Sequence, residues 1–203
     1  MSESRWTRLR QRAGGKAIEL TFEGLSAAGK LHPRSRPDAH GLEVVRDLAY
    51  GPTDAVHHRL DVWRLRDLEP RAPALLFVHG GGFRILSKDT HWLMALMFAR
   101  AGYVVFTINY RLAPAHPFPA AAEDAAAAYL WVLEHAHAYG ADPNRVALSG
   151  ESAGANLTLG LALSACERRP EPFAQRVFQA GVTPHAILPN CGLFQVTEPE
   201  RFA

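Results

Sequence analysis

The stretch Val146-Ala147-Leu148-Ser149-Gly150-Glu151-Ser152-Ala153-Gly154 decides the fold of this chain. Its first four residues read as a short buried strand, and Ala153 to Cys166 read as a helix. Ser152 therefore falls on the turn between them, where a serine hydroxyl can project above the end of a sheet. The glycines two positions either side fit that placement. Gly150 and Gly154 carry no Cβ, so the backbone can bend sharply and the strand and helix can pack closely at the turn.

Upstream, Ala74-Leu75-Leu76-Phe77-Val78 is a continuous apolar run that reads as a central buried strand. It runs directly into His79-Gly80-Gly81-Gly82-Phe83, whose glycines leave their backbone amides unobstructed. Acyl transfer builds negative charge on a carbonyl oxygen, and preorganised N–H donors aimed at it contribute about 3–4 kcal/mol each. Gly81, Gly82 and Ala153 are the candidate donors. No Lys-Ser/Thr follows the glycines, as a phosphate-cradling P-loop requires, and Gly-x-Gly-x-x-Gly is absent, which excludes dinucleotide binding on that motif.

The other elements follow the same rhythm. Short strands are expected at Leu42 to Val45 and Leu60 to Trp63, and a helix capped by Asp89-Thr90 and stopped at Gly102. A buried strand over Tyr103 to Ile108 leads through a proline-rich loop to an alanine-rich helix closed by Gly140. Glu123 and Asp124 sit in that helix's first turn, where they suit the positive end of its dipole. A last strand, Ile187 to Val196, is broken by Pro189 and Gly192. Alternating strands and helices predict an α/β fold, a mostly parallel sheet covered on both faces. A sheet ending there presents an apolar edge.

The 203 residues, 48% hydrophobic and 21% charged, suit a globular domain with a sizeable core. The net charge of +2 gives no reason to expect a nucleic-acid partner, although residues 1 to 36 hold eight Lys/Arg against three acids. Trp6, Leu9, Ile18, Leu20, Phe22 and Leu25 interrupt those charges, as in an amphipathic helix with a solvated face. Residues 1–40 are read as an N-terminal unit and 41–203 as the core. Cys166 and Cys191 are too few for a disulfide framework or a zinc site. With no signal-peptide pattern and no apolar run long enough to span a membrane, a cytoplasmic location is expected. His135 and His137 diverge on a helix and His57 and His58 face opposite ways in a strand, so these imidazoles are expected to be solvated and no metal site is assigned.

Together with Asn109-Tyr110-Arg111-Leu112-Ala113-Pro114-Ala115-His116-Pro117-Phe118-Pro119, the two glycine motifs resemble the hormone-sensitive-lipase-like family of α/β-hydrolases from about Gly41 to Val196. The resemblance implies a carboxylesterase for small or medium acyl esters, with no cofactor and no metal. It implies Ser152 as nucleophile, Gly81, Gly82 and Ala153 as oxyanion donors, and His79 as the residue that holds the glycine loop. Gly80, Gly150, Glu151 and Gly154 complete the motifs. It also implies that the leader is a set of cap helices over the acyl pocket, and that Tyr110 to Pro119 is structural.

The chain departs from the family in two places. Glu151 stands where the family has Asp or Thr, and its longer carboxylate is expected to alter hydrogen bonding near the turn. A serine needs a His to remove its proton, and that His needs an acid to orient it. In this fold both come after the nucleophile. No Asp follows Ser152, and the sole later histidine, His185, precedes the last strand, on the side of the sheet away from Ser152. The chain is therefore read as truncated before the triad Asp and His. A non-catalytic remnant that binds a ligand, and an amidase or formamidase on the same scaffold, are the alternatives.

Overall fold

The computed structural model describes residues 5–53 and 55–194. Leu42–Ala49 (β1), Arg59–Leu65 (β2), Ala72–Val78 (β3), Val104–Ile108 (β4), Ala141–Glu151 (β5) and Ala186–Asn190 (β6) are the strands among them, and they form one sheet in the order β1-β2-β4-β3-β5-β6. β3 is central and pairs in parallel with both β4 and β5, while β2 runs antiparallel to β1 and β4. The α-helices among the described residues are Arg5–Lys30 (α1), Trp92–Arg100 (α2), Ala120–His135 (α3), Ala153–Cys166 (α4) and Pro172–Gln179 (α5).

The period of two along β3 divides the core. Leu75 and Phe77 pack with Trp63, Val105 and Trp92, Ala95, Leu96 and Ala99 of α2. Ala74, Leu76 and Val78 point the other way, into a larger cluster with Phe106, Tyr129, Val132, Leu148, Leu157 and Leu161. Both faces are covered, so β3 is apolar throughout. Burying each of its larger side chains contributes about 1.5–3 kcal/mol relative to exposure. From β3 the chain crosses by α2 to β4 on one side, then by α3 to β5 on the other. The sheet order thus reverses around β3, and in open α/β sheets the crevice at the carboxyl ends of such strands is where ligands bind.

Several expected boundaries shift. α2 begins at Trp92 with His91 as its N-cap, and neither Asp89 nor Thr90 caps it; Thr90 Oγ1 donates instead to the Ser87 carbonyl at 2.7 Å. β6 stops at Asn190 because the chain turns at Cys191, where φ is +53°; Gln195 and Val196 lie outside the described residues. α5 was not expected at all. The leader forms one helix, α1, whose described apolar residues Ile18, Leu20, Phe22 and Leu25 are exposed. Its last turns lie against the start of α2, where Ser26 Oγ donates to the Asp89 carbonyl at 3.2 Å. β6 is outermost, with Ile187 and Leu188 partly exposed. Among the described residues, no helix is long and apolar enough to cross a membrane.

Candidate active site

The carboxyl ends of β3 and β5 bring the two glycine motifs together. Ser152 is the N-cap of α4 and takes φ +52°, ψ −111°, a conformation that costs a non-glycine residue about 1–3 kcal/mol. Three contacts hold it there. The Ser152 N–H donates to the Asn190 carbonyl at the end of β6 (2.8 Å), and its own carbonyl accepts the first helical bond from the Asn156 N–H (3.1 Å). Close packing supplies the third. A Cβ on Gly150 would lie 2.4 Å from the Gly154 backbone, and one on Gly154 would lie 2.0 Å from the Val78 carbonyl oxygen. Glycine is therefore required at both positions by close approach, and Ser152 is left exposed at the top of the turn.

The loop after β3 lies directly against this turn. A Cβ on Gly80 would sit 2.9 Å from the Glu151 carbonyl oxygen and 3.5 Å from the Ser152 Cβ. Gly81 and Gly82 follow with φ of +114° and +60°, and the Gly81 carbonyl accepts from the Arg84 and Ile85 N–H groups at 3.0 and 3.1 Å. The Phe83 carbonyl accepts from the Ala113 N–H at 2.8 Å, which ties the loop to the proline-rich segment. Among the described residues, nothing accepts a hydrogen bond from the N–H groups of Gly81, Gly82 or Ala153, and no side chain bonds the Ser152 hydroxyl.

His79 is fully buried, and burial pushes its pKa down to about 3, so the ring is neutral. Its Nδ1–H donates to the Gly80 carbonyl at 2.7 Å. The ring stacks on Tyr110 at 4.3 Å, and the Tyr110 hydroxyl donates to the His79 carbonyl at 3.0 Å. Burial raises the Tyr110 pKa, so that hydroxyl stays a donor. Tyr110 thus supports the loop from below.

Lys88 was missed by sequence reading. Its ammonium is buried between Asp47 of β1 and Asp61 of β2, at 2.9 Å from each. Its N–H donates to Asn109 Oδ1 at 2.8 Å. The segment leaving the glycine loop is thereby fixed to β1, β2 and the end of β4. Nothing local in Ser87-Lys88-Asp89 signals this, because its partners lie far off along the chain.

Two expectations about charged groups are corrected. His57 and His58 are in a short 3-10 turn, Val56–His58, rather than a strand, and their rings meet edge to face at 4.5 Å. His58 is buried, not solvated, with Nε2–H donating to Asp124 Oδ1 at 3.2 Å. Asp124 does not serve the helix dipole as an exposed acid does. It is buried and accepts from the Arg111 N–H (2.8 Å) and from Arg111 Nε (2.9 Å), pinning the proline-rich loop to α3. His185 is exposed, and its N–H donates to the Val146 carbonyl, so it lies at the end of the sheet away from Ser152.

A cavity of about 510 Å³ opens beside the glycine loop. Gly82 and Phe83 of the glycine loop, Leu157, Gly160 and Leu161 of α4 and Phe173 of α5 line it. His116, Pro117 and Phe118 line it too, so the proline-rich segment shapes the cavity as well as the fold. No described residue of α1 lines it. Among the described residues, no group of three or more His, Cys, Asp or Glu is placed to hold a metal ion.

A family profile for the alpha/beta hydrolase fold matches residues 75–191. The chain is 43% identical to Esterase LipI of Mycobacterium tuberculosis over 152 residues, which cover 74% of this chain and 47% of LipI. It is 36% identical to Esterase LipQ of the same organism over 186 residues, 88% of this chain and 43% of LipQ. A solved structure of Bacterial Heroin Esterase superposes with a TM-score of 0.68 at 28% identity, covering 85% of this chain and 50% of that one. The chain spans just under half the length of these two curated relatives. Since the matched span takes in the central strand, the glycine loop and the strained serine turn, the chain belongs to the α/β-hydrolase-fold family.

Proposed function

We propose that this chain carries the nucleophile and oxyanion hole of a serine carboxylesterase acting on small to medium acyl esters. The supporting observation is that an exposed serine in a strained turn stands against a loop whose N–H groups are not taken up elsewhere. In this reading Ser152 Oγ attacks the ester carbonyl carbon, and the carbonyl π electrons move onto oxygen. The N–H groups of Gly81, Gly82 and Ala153 stabilise that oxyanion while a base takes the Ser152 hydroxyl proton; as the carbonyl re-forms, the bond to the alcohol oxygen breaks and the alcohol leaves with that proton to give an acyl-enzyme. Water then releases the acid by the reverse sequence of proton movements. The cavity beside Gly82 takes the apolar arm of the ester. The names of the relatives, all esterases, favour this chemistry.

Residues 1–40 form the N-terminal unit in this proposal and 41–203 the hydrolase core, with the base and its acid supplied from outside the described residues. No cofactor is required, because the carbonyl of an ester needs only a nucleophile, a proton acceptor and charge stabilisation. The test is hydrolysis of p-nitrophenyl butyrate by the full-length protein that carries this chain. Turnover that disappears in Ser152→Ala is expected, and turnover that survives it overturns the proposal.

A further inference from the structure

His91, at the N-terminus of α2, has a mostly buried imidazole beside the ends of β3 and β5, 6.0 Å from the Phe77 ring and 5.7 Å from the His79 ring. Its tautomer follows from its neighbours. Thr90 Oγ1 spends its hydrogen on the Ser87 carbonyl, so both oxygens near His91 Nδ1, Thr90 Oγ1 at 2.9 Å and Ser87 O at 3.2 Å, are acceptors. The ring proton therefore sits on Nδ1. Nε2 is left with a lone pair, and it accepts the Gly80 N–H at 3.4 Å.

That bond holds the first peptide of the glycine loop. The carbonyl of that same peptide, on His79, accepts from the Tyr110 hydroxyl at 3.0 Å; the carbonyl of the next peptide, on Gly80, accepts from His79 Nδ1–H at 2.7 Å, and the Gly80 Cα is pressed against the Glu151 backbone. With both ends of the His79–Gly80 peptide and the carbonyl of the Gly80–Gly81 peptide held, these planes resist rocking, and the N–H groups of Gly81 and Gly82, one and two peptides on, keep their direction. A second acceptor contends for the same ring. Glu151 Oε2 lies 3.6 Å from Nε2 on a half-exposed side chain. When Nε2 is protonated it cannot accept from Gly80, and its new hydrogen faces a carboxylate.

Resting on the esterase reading of Ser152, we propose that His91 is a positioning residue. Its Nε2 holds the Gly80 N–H, and through it the oxyanion loop, against the Ser152 turn, and protonation hands the ring to Glu151 instead. The titratable groups that face it are Glu151 from β5 and His79 from β3. Lys88 and Asp89, on its own segment, are engaged with Asp47, Asp61 and Arg46. Burial lowers the His91 pKa, with the Glu151 charge opposing, so near pH 7 the ring is neutral and Gly80 is held. Glu151 thereby acquires a role in setting where the swap occurs.

Two variants separate positioning from packing. In His91→Gln, the amide oxygen stands as many bonds from Cβ as Nε2 does, accepts from Gly80 and does not protonate; His91→Ala removes the acceptor. In the full-length protein, kcat for p-nitrophenyl butyrate is expected to fall about 10-fold in His91→Ala with KM little changed, part of the roughly 100-fold or more that losing one oxyanion donor costs. His91→Gln is expected to restore kcat to within about 3-fold and to remove one ionisation from the acid limb. In parallel, the Gly80 amide resonance of this chain is expected to titrate with the His91 ring, at one midpoint below 6.5, in wild type and in Ser152→Ala, and to stay flat in His91→Gln. A Gly80 amide that ignores the His91 titration, or a Gln variant as slow as Ala, overturns the proposal. The amide titration needs no turnover, so loss of the esterase reading and loss of this one are told apart.

Discussion

Gly160 offers a perturbation whose effects on stability and on selectivity run in opposite directions. It lies in the middle of α4 and lines the cavity beside the glycine loop. A Cβ there would meet nothing within 4 Å. Close packing therefore does not require this glycine, although a glycine inside a helix costs about 1 kcal/mol relative to alanine. Gly160→Ala should return that energy, raising Tm by about 2–4 °C for a chain of this size. Gly160→Phe should fill cavity space now open to substrate. If the ring displaces about three methylenes of a long acyl or alcohol arm, each worth about 0.8 kcal/mol, the loss is about 2.4 kcal/mol, or roughly 50-fold in kcat/KM. The assay is kcat/KM for p-nitrophenyl acetate, butyrate and octanoate in the full-length protein, with thermal unfolding alongside. The octanoate ester should suffer the full loss and the acetate ester less than about 2-fold. Equal losses on all three esters, or an Ala variant that melts lower than wild type, would refute the reasoning.

Three further outcomes follow from the geometry. Ser152 and an alanine in its place share the strain of φ +52°, whereas glycine does not, so Ser152→Gly should unfold in urea with about 1 kcal/mol more stability than Ser152→Ala while neither turns over ester. Asp124→Asn removes the charge that Arg111 and His58 share, and because Arg111 is partly exposed and keeps its pair with Glu123 it should cost about 1–3 kcal/mol in chemical denaturation, with Leu48→Ala as a packing control. His79 is held neutral down to about pH 3, while an exposed histidine binds its proton near 6.5. Between those values the unfolded chain binds more protons, so stability should fall as pH drops, by at most about 1.4 kcal/mol per pH unit from this group. His79→Phe should flatten that slope in urea melts recorded from pH 7 to 4.

What could be read in advance was local. β3 and the glycine loop were legible because a continuous apolar run ends abruptly in glycines, and the Ser152 turn because its glycines bracket a change from strand to helix. α5 escaped notice because it is short and begins beside a Glu-Arg-Arg-Pro-Glu-Pro run that reads as loop, with only Ala174 and Val177 buried. The supports of the site escaped for another reason. Lys88 with Asp47 and Asp61, and His58 and Arg111 with Asp124, are joined across the sheet by register and crossover, which no window of neighbouring residues contains. Asn109 and Tyr110 lie inside the proline-rich motif, where Tyr110 is read only as the start of a structural loop and Asn109 carries no assignment. Their bonds to Lys88 and to the His79 carbonyl show that the loop's structure is what fixes the glycines.

The most direct test is the structure of the full-length protein after reaction with a p-nitrophenyl alkylphosphonate, whose tetrahedral phosphorus stands in for the carbon of the ester intermediate. The account predicts a covalent bond from Ser152 Oγ to phosphorus, with the phosphoryl oxygen about 3 Å from the nitrogens of Gly81, Gly82 and Ala153. A phosphoryl oxygen turned toward solvent, or an adduct on any other side chain, would contradict it.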